Sequence, residues 1–164
     1  MMVAPCLIFA VGNESRGDDA LGPLLLRQLE SWLTETGNTA QFELLEEFQL
    51  QVEHAMDMKD RQLVLFIDAS INTHAPFDFY RAQANDTPVL YSHALVPEAL
   101  LKVYTQFYQE APPAVFILGI CGEKFELGEG LSTQAIERLS AAFEFCQQLL
   151  HQPNATDWDS RCTH

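Results

Sequence analysis

The sequence predicts an α/β fold, a three-layer sandwich in which helices cover both faces of a mainly parallel sheet of about five strands. Short apolar runs alternate along the chain with segments whose apolar residues recur every three or four positions. Two of the runs, residues 62–67 and 114–120, are almost wholly apolar, as strands buried on both faces of a parallel sheet are. The length of 164 residues suits a single domain, which we expect to span residues 1–151.

The predicted strands follow one another at intervals that leave room for helices between them. They lie at residues 6–11, 41–45, 62–67, 77–82 and 114–120. The first strand is stopped by Gly12 and Asn13, residue types that favour turns. The fourth strand alternates polar and apolar residues, so we expect it at an edge of the sheet.

The first helix is predicted directly after the acidic pair Asp18-Asp19. Leucines from Leu21 to Leu33 recur at helical spacing and form one apolar stripe. Asp18 is expected to be the N-cap of this helix. Asp19 is expected either to be a first-turn carboxylate, favoured there by the helix dipole, or to belong to a site.

Two further helices are predicted in the second half of the chain. One begins at Pro97, because proline suits a first helical turn. The other is capped by Ser132 or Thr133, and its apolar stripe consists of Ile136, Leu139, Phe143, Cys146, Leu149 and Leu150. Residues 52–58 suggest a short helical patch, and residues 152–164 a polar C-terminal tail without regular structure.

The composition excludes several classes of protein. Lys and Arg number 9 against 23 Asp and Glu, a net charge of −14, which repels nucleic-acid phosphates and anionic lipids. No apolar run approaches the ~20 residues of a membrane span or has the form of a signal peptide. The cysteines are far apart, which indicates buried reduced thiols and a cytoplasmic protein; they are Cys6, Cys121, Cys146 and Cys162.

Three polar side chains are expected to converge at one edge of the sheet. In open α/β sheets, ligands bind beyond the carboxyl ends of the strands. Asp19 lies in the loop after the first strand, Asp68 follows the third strand, and His93 precedes the Pro97 helix. Two carboxylates and an imidazole suit a divalent transition metal.

Other interpretations of these residues remain open from the sequence alone. Asp68 also fits a turn residue that accepts a hydrogen bond from its own backbone, and His93 fits a loop or capping residue. A phosphate site is excluded at the first loop, because Asp18 and Asp19 stand where a P-loop has Lys and Ser or Thr. A Cys121–His93 nucleophilic pair is conceivable, since Cys121 follows the fifth strand.

The motifs together resemble a known family, the endopeptidases that mature the large subunit of nickel–iron hydrogenases. The most specific element is Gly12-Asn13, a four-residue loop, and Asp18-Asp19. The Asp68-Ala69 strand end, Ser92-His93 before a helix and the run from Gly119 to Gly122 are similar as well. The similarity covers roughly residues 5–150.

The resemblance implies a function and a set of site residues. It implies a monomeric α/β protease that removes the C-terminal extension of a hydrogenase large-subunit precursor once nickel has been inserted. Asp19, Asp68 and His93 would bind the nickel, which the precursor supplies, and would form the catalytic centre. No organic cofactor, nucleic acid or membrane is expected.

Two features leave the finer assignment open. Glu46-Glu47 stands where many members have an Asp-Gly-Gly turn, and Glu47 could supply a further carboxylate. Residues 47–54 resemble the branch that serves soluble, NAD-reducing or bidirectional hydrogenases. Two other functions are compatible with the same residues: a nickel-sensing assembly chaperone that does not cut its partner, and a metal-dependent hydrolase of small molecules.

Overall fold

Strands and helices alternate along the chain in the computed structural model, which describes residues 3–84 and 95–163. The strands are β1 (Cys6–Val11), β2 (Phe42–Glu47), β3 (Leu63–Ser70), β4 (Phe77–Arg81) and β5 (Ala114–Cys121). The α-helices are α1 (Leu21–Thr36), α2 (Pro97–Tyr108), α3 (Thr133–His151) and α4 (Ala155–Ser160). Two short 3₁₀ helices, Gly17–Ala20 and Val52–Met58, precede α1 and follow β2.

The strands form a single five-stranded sheet in the order β2-β1-β3-β5-β4. β1, β2, β3 and β5 are parallel, and β4 pairs antiparallel with β5 at one edge. The predicted α/β fold with a mainly parallel sheet is therefore confirmed, as is the edge position of the fourth strand. All four parallel strands end at the same edge of the sheet, which we call the carboxyl edge.

Helices cover both faces of the sheet, because alternate strand side chains point to opposite sides. On one face, Ile8 and Leu65 pack with the leucines of α1 and with buried residues of α3. On the other face, Phe9 and Phe66 pack with α2 and the 3₁₀ helix Val52–Met58. These two apolar layers make the three-layer sandwich that the sequence predicts.

The predicted apolar stripe of α3 is only partly confirmed. Ser132 is the N-cap of α3, and its hydroxyl oxygen accepts a hydrogen bond from the Ala135 amide at 3.1 Å. Cys146 and Leu149 are fully buried, as predicted, but Ile136 is 57% exposed. Small Ala135 and Ala142 are buried instead, because α3 packs closely against its neighbours at those positions.

The C-terminal segment differs from the predicted polar tail. Residues after His151 form the short helix α4, and Trp158 on that helix is fully buried, with its indole N–H donating to the Leu149 carbonyl at 2.9 Å. Thr163 then exchanges hydrogen bonds with Phe79 of β4. Burial of this one aromatic side chain thus packs an otherwise polar segment against the domain, and the segment covers the outer edge of β4.

The helices of the described residues are those of a packed domain. None of those helices is both long enough and apolar enough to cross a membrane.

Candidate active site

The loop after β1 holds Asp19 at the carboxyl edge of the sheet. The Asn13 amide donates to Asp19 Oδ2 at 2.8 Å, and the Asn13 side chain accepts from the Ser15 amide at 2.9 Å. A Cβ atom at Gly12 would lie 2.1 Å from the Asp19 carbonyl oxygen, so only glycine allows the loop to return this closely. The Gly-Asn motif therefore positions the aspartate six residues further on.

Close contact between α1 and the sheet also holds the loop after β1 in place. A Cβ atom at Gly22 would lie 2.8 Å from the Val11 carbonyl oxygen and 3.1 Å from that of Ile67. The first turn of α1 therefore rests directly on the carboxyl ends of β1 and β3. Asp19, three residues earlier, is held next to both strands.

Asp68 lies within β3, because the strand continues to Ser70 rather than ending at Ile67. Its carboxylate accepts a hydrogen bond from the next amide, that of Ala69, at 2.8 Å. The predicted interaction with its own backbone is thus present. It does not exclude a functional role, because the side chain also lines a recess at the carboxyl edge.

The Asp19 carboxylate is close enough to Asp68 to affect its ionisation. Surrounding protein atoms lower the hydration of Asp68 and raise the pKa of its carboxyl group to about 7, and the negative charge of Asp19 adds to this shift. Burial also raises the pKa of Asp19, although the Asn13 amide and the Arg16 charge act in the opposite direction. The Asp68 side chain nevertheless remains exposed to solvent, and it lines the recess at the carboxyl edge.

Asp18 does not cap α1, which corrects the sequence prediction. It is fully buried, and its oxygens accept hydrogen bonds from the amides of Glu123, Lys124 and Ser132 and from the Ser132 hydroxyl, at 2.7 to 3.2 Å. Burial raises the pKa of Asp18, but these four hydrogen bonds outweigh it and lower the pKa overall. Asp18 therefore fastens the loop after β5 to the loop after β1.

A cavity of about 380 Å³ opens beside Asp68. Its walls include Phe66 and Ile117 from the sheet and Pro97 and Glu98 from the first turn of α2. Glu98 Oε1 is buried and has no hydrogen-bond partner among the described residues, and burial raises the pKa of this carboxyl group. The cavity combines apolar walls with acidic groups, and it opens next to Asp68.

The third predicted ligand, His93, lies outside the described residues. Within residues 3–84 and 95–163, no group of three or more His, Cys, Asp and Glu side chains is arranged to hold a metal ion. The structure therefore brings two of the three predicted residues together, Asp19 and Asp68. Carboxylate oxygens suit divalent cations, and a carboxyl group that titrates near neutral pH suits proton transfer.

The other candidates from the sequence have structural partners elsewhere. Glu46 pairs with Arg27 at 3.1 Å. The Glu47 carboxylate lies 3.8 Å from His54 Nε2, while its main-chain oxygen accepts from the Gly12 amide. Cys121 is buried, with its sulfur 3.3 Å from Arg138 Nη1. Glu46 and Glu47 thus support the first loop and the 3₁₀ helix after β2.

Sequence reasoning missed the positioning residues of the site. The amide of Asn13 orients Asp19, and a signal for it existed in the Gly-Asn dipeptide at the end of a strand. The partners of Asp18 left no signal, because Ser132 is 114 residues away along the chain. The sequence contained no signal for Glu98 either, because a glutamate in the first turn of a helix usually interacts favourably with the helix dipole.

Comparison with solved structures identifies the fold. The sequence itself matches no protein-family profile and no curated protein. The nickel–iron hydrogenase maturation protease HycI from Thermococcus kodakarensis KOD1 superposes with a TM-score of 0.68 at 21% identity, over 91% of this chain and 94% of that protein. The hydrogenase-maturating endopeptidase HybD from E. coli gives 0.68 at 22% identity, over 93% and 94%.

A third solved structure shows the same similarity of fold. The maturation protease HybD from Thermococcus kodakarensis gives a TM-score of 0.59 at 20% identity, over 91% of this chain and 99% of that protein. The match spans nearly the whole length of each protein. The chain therefore has the fold of hydrogenase maturation proteases.

Proposed function

We propose that this protein is an endopeptidase that removes the C-terminal extension of a nickel–iron hydrogenase large-subunit precursor after nickel insertion. The observation that carries the proposal is the pairing of Asp19 and Asp68 at the carboxyl edge of a fold shared with hydrogenase maturation proteases. In open α/β sheets this edge is where ligands bind. The reaction is proposed for the cytoplasm, with the protein acting as a monomer.

The carboxylates supply two kinds of chemistry to such a reaction. Asp19 and Asp68, with His93 from the sequence motif, are proposed to bind the nickel that the precursor carries, and so to fix the scissile peptide at the carboxyl edge. In the metal-free protein, burial raises the pKa of Asp68 to about 7, so this carboxyl group would release a proton when the cation binds. The adjoining cavity accommodates the peptide on one side of the bond.

The nickel belongs to the substrate in this proposal and is not a resident cofactor. A site of two carboxylates and one histidine leaves coordination positions for groups of the precursor. The protease would then act only on a precursor that has received its metal. The hydrogenase branch suggested by residues 47–54 stays a prediction from the sequence.

The proposal is tested by variants of the two carboxylates. Asp19→Asn and Asp68→Asn should each slow cleavage of nickel-loaded precursor at least about 100-fold, because each removes a charge that binds metal or moves a proton. Mass spectrometry of the precursor measures the cleavage. Asp57→Asn is the matched control, since burial also raises the pKa of Asp57 but the group lies near Arg61 and Glu43. Wild-type rates in both site variants would refute the assignment.

A further inference from the structure

Three exposed apolar side chains stand around the carboxyl edge of the sheet. Phe48 follows β2, Ile71 follows β3, and Leu127 lies in the loop after β5. Their exposed fractions are 75%, 65% and 74%. We call these three side chains the apolar rim. A single exposed apolar residue is ordinary, but several beside one site indicate a surface that binds another protein.

The strand register places the apolar rim next to the two aspartates. Glu47 pairs with Val11, so Phe48 stands level with Gly12, which touches the Asp19 carbonyl group. Only β1 separates β2 from β3. Phe48 therefore stands about two strand spacings, roughly 10 Å, from the end of β3.

Leu127 is exposed although its loop is firmly held. The Gly128 amide donates to the Ser15 carbonyl at 2.7 Å, and the Gly17 amide donates to the Glu129 carbonyl at 3.0 Å. Asp18 fastens the two ends of the same loop, as described above. The main chain therefore presents Leu127 to solvent beside the first loop, and little ordering of the main chain is needed when a partner binds.

The charges around the apolar rim indicate which kind of partner fits it. Arg16 and Lys124 are the basic residues of the loops at residues 12–20, 46–53 and 122–131. Arg27 and Arg138, outside these loops, form ion pairs with Glu14, Glu46 and Glu123. The other exposed acidic residues of the loops still outnumber Arg16 and Lys124; they are Glu47, Glu53, Glu126 and Glu129. A complementary face carries an apolar patch bordered by Lys and Arg.

We infer that the apolar rim docks the folded body of the substrate, at an apolar face of the large-subunit precursor that basic residues surround. The inference rests on the proposed function. It separates two tasks: the rim holds the precursor, while Asp19 and Asp68 act on its metal and its peptide bond. Loss of a rim side chain should therefore change KM more than kcat.

The test compares Phe48→Ser and Leu127→Ser with the control Phe107→Ser. Phe107 is 68% exposed at the C-terminal end of α2, whereas the first turn of this helix lines the cavity beside Asp68. With nickel-loaded precursor, each rim variant should raise KM about fivefold or more, with kcat within about twofold of wild type. The same variants should weaken binding of nickel-free precursor, measured by calorimetry, by a similar factor. The control should change neither quantity.

Each outcome bears on a different claim. Unchanged KM in the rim variants, a loss confined to kcat, or an equal effect of Phe107→Ser would overturn the docking surface and leave the proposed function standing. Absence of cleavage by the wild type, with binding still weakened by Phe48→Ser, would instead refute the proteolytic function and support the docking surface. All three substituted side chains are exposed, so unfolding in urea should change little and checks that each variant is folded.

Discussion

Adjacent aspartates in the first loop perform different tasks because they meet different partners. Asp18 is fully buried and accepts four hydrogen bonds from the loop after β5. Asp19 is half-buried, accepts one hydrogen bond from the Asn13 amide and shares its surroundings with Asp68. We therefore expect Asp18 to determine stability and Asp19 to determine activity.

The first prediction separates these two residues. Asp18→Ala should lower the free energy of unfolding by about 2–4 kcal/mol, because three amides and a hydroxyl lose their buried acceptor. Asp19→Ala should lower it by about 1 kcal/mol, since one hydrogen bond is lost, while abolishing cleavage of the precursor. Urea denaturation and the cleavage assay measure the two effects. Equal losses of stability would contradict the division.

The second prediction concerns the pH dependence of stability through Asp68. Its pKa is raised from 3.8 to about 7 in the folded protein, so ionisation opposes folding, and stability should fall as the pH rises between those values and then level off. Asp68→Asn removes this titration. In metal-free protein, the variant should gain stability relative to wild type between about pH 5 and about pH 8. Urea unfolding at both pH values checks this, and a constant difference would be inconsistent with it.

The role of an aspartate in this site can be predicted from the sequence only when its hydrogen-bond partners are close to it along the chain. The location of Asp19 and Asp68 at the carboxyl edge followed from the order of apolar runs, although β3 continues beyond Asp68 to Ser70. The role of Asp18 did not, because a buried carboxylate and an N-cap look alike when the partners lie more than 100 residues away. The prediction of His93 falls outside the described residues and stays a prediction.

The secondary-structure elements position the site through close backbone contacts. α1 rests on the ends of β1 and β3 at Gly22, where no side chain fits. The strands and the starts of α2 and α3 were predictable, because apolar runs, Pro97 and Ser132 are local signals. The extension of β3 through Asp68 and the burial of Ala135 instead of Ile136 depend on tertiary packing, which overrides the local pattern.

The third prediction tests the contact between α1 and the sheet. Gly22→Ala should destabilise the protein by about 1–3 kcal/mol, because the added methyl group would displace α1 from the strand ends, and should also slow cleavage by shifting Asp19. Gly130→Ala is the matched control, because an added Cβ there meets no atom of residues 3–84 and 95–163 within 4 Å. Its stability should stay within about 0.5 kcal/mol of wild type. A neutral Gly22→Ala variant would show that this contact does not hold the site.

The fourth prediction concerns α4, the element that the sequence did not predict. Its single buried aromatic residue, Trp158, packs against Phe79 and Phe116. Trp158→Ala should therefore lower the free energy of unfolding by about 3–5 kcal/mol. Trp32→Ala, at a half-buried position, should cost clearly less. Thermal or urea unfolding of both variants checks the difference, and equal costs would indicate that the C-terminal segment is loosely attached.

At the scale of the whole molecule, the parallel strands gather the chemistry at one edge of the sheet. Asp19, Asp68, Glu98 and the apolar rim all lie there, while the C-terminal segment covers β4 at another edge. The net charge of −14 fits this arrangement, since the acidic loops around the site favour a partner with basic residues. The architecture was predictable because βα alternation constrains topology strongly.

The proposed function requires that the protein cleaves a hydrogenase precursor and recognises it through its nickel. The most direct measurement is the mass of a large-subunit precursor after incubation with the purified protein, in parallel samples with and without nickel. Nickel-loaded precursor should become shorter by its C-terminal extension, and nickel-free precursor should keep its full mass. Equal cleavage of both would contradict recognition of the metal, and full mass in both samples would contradict the protease itself.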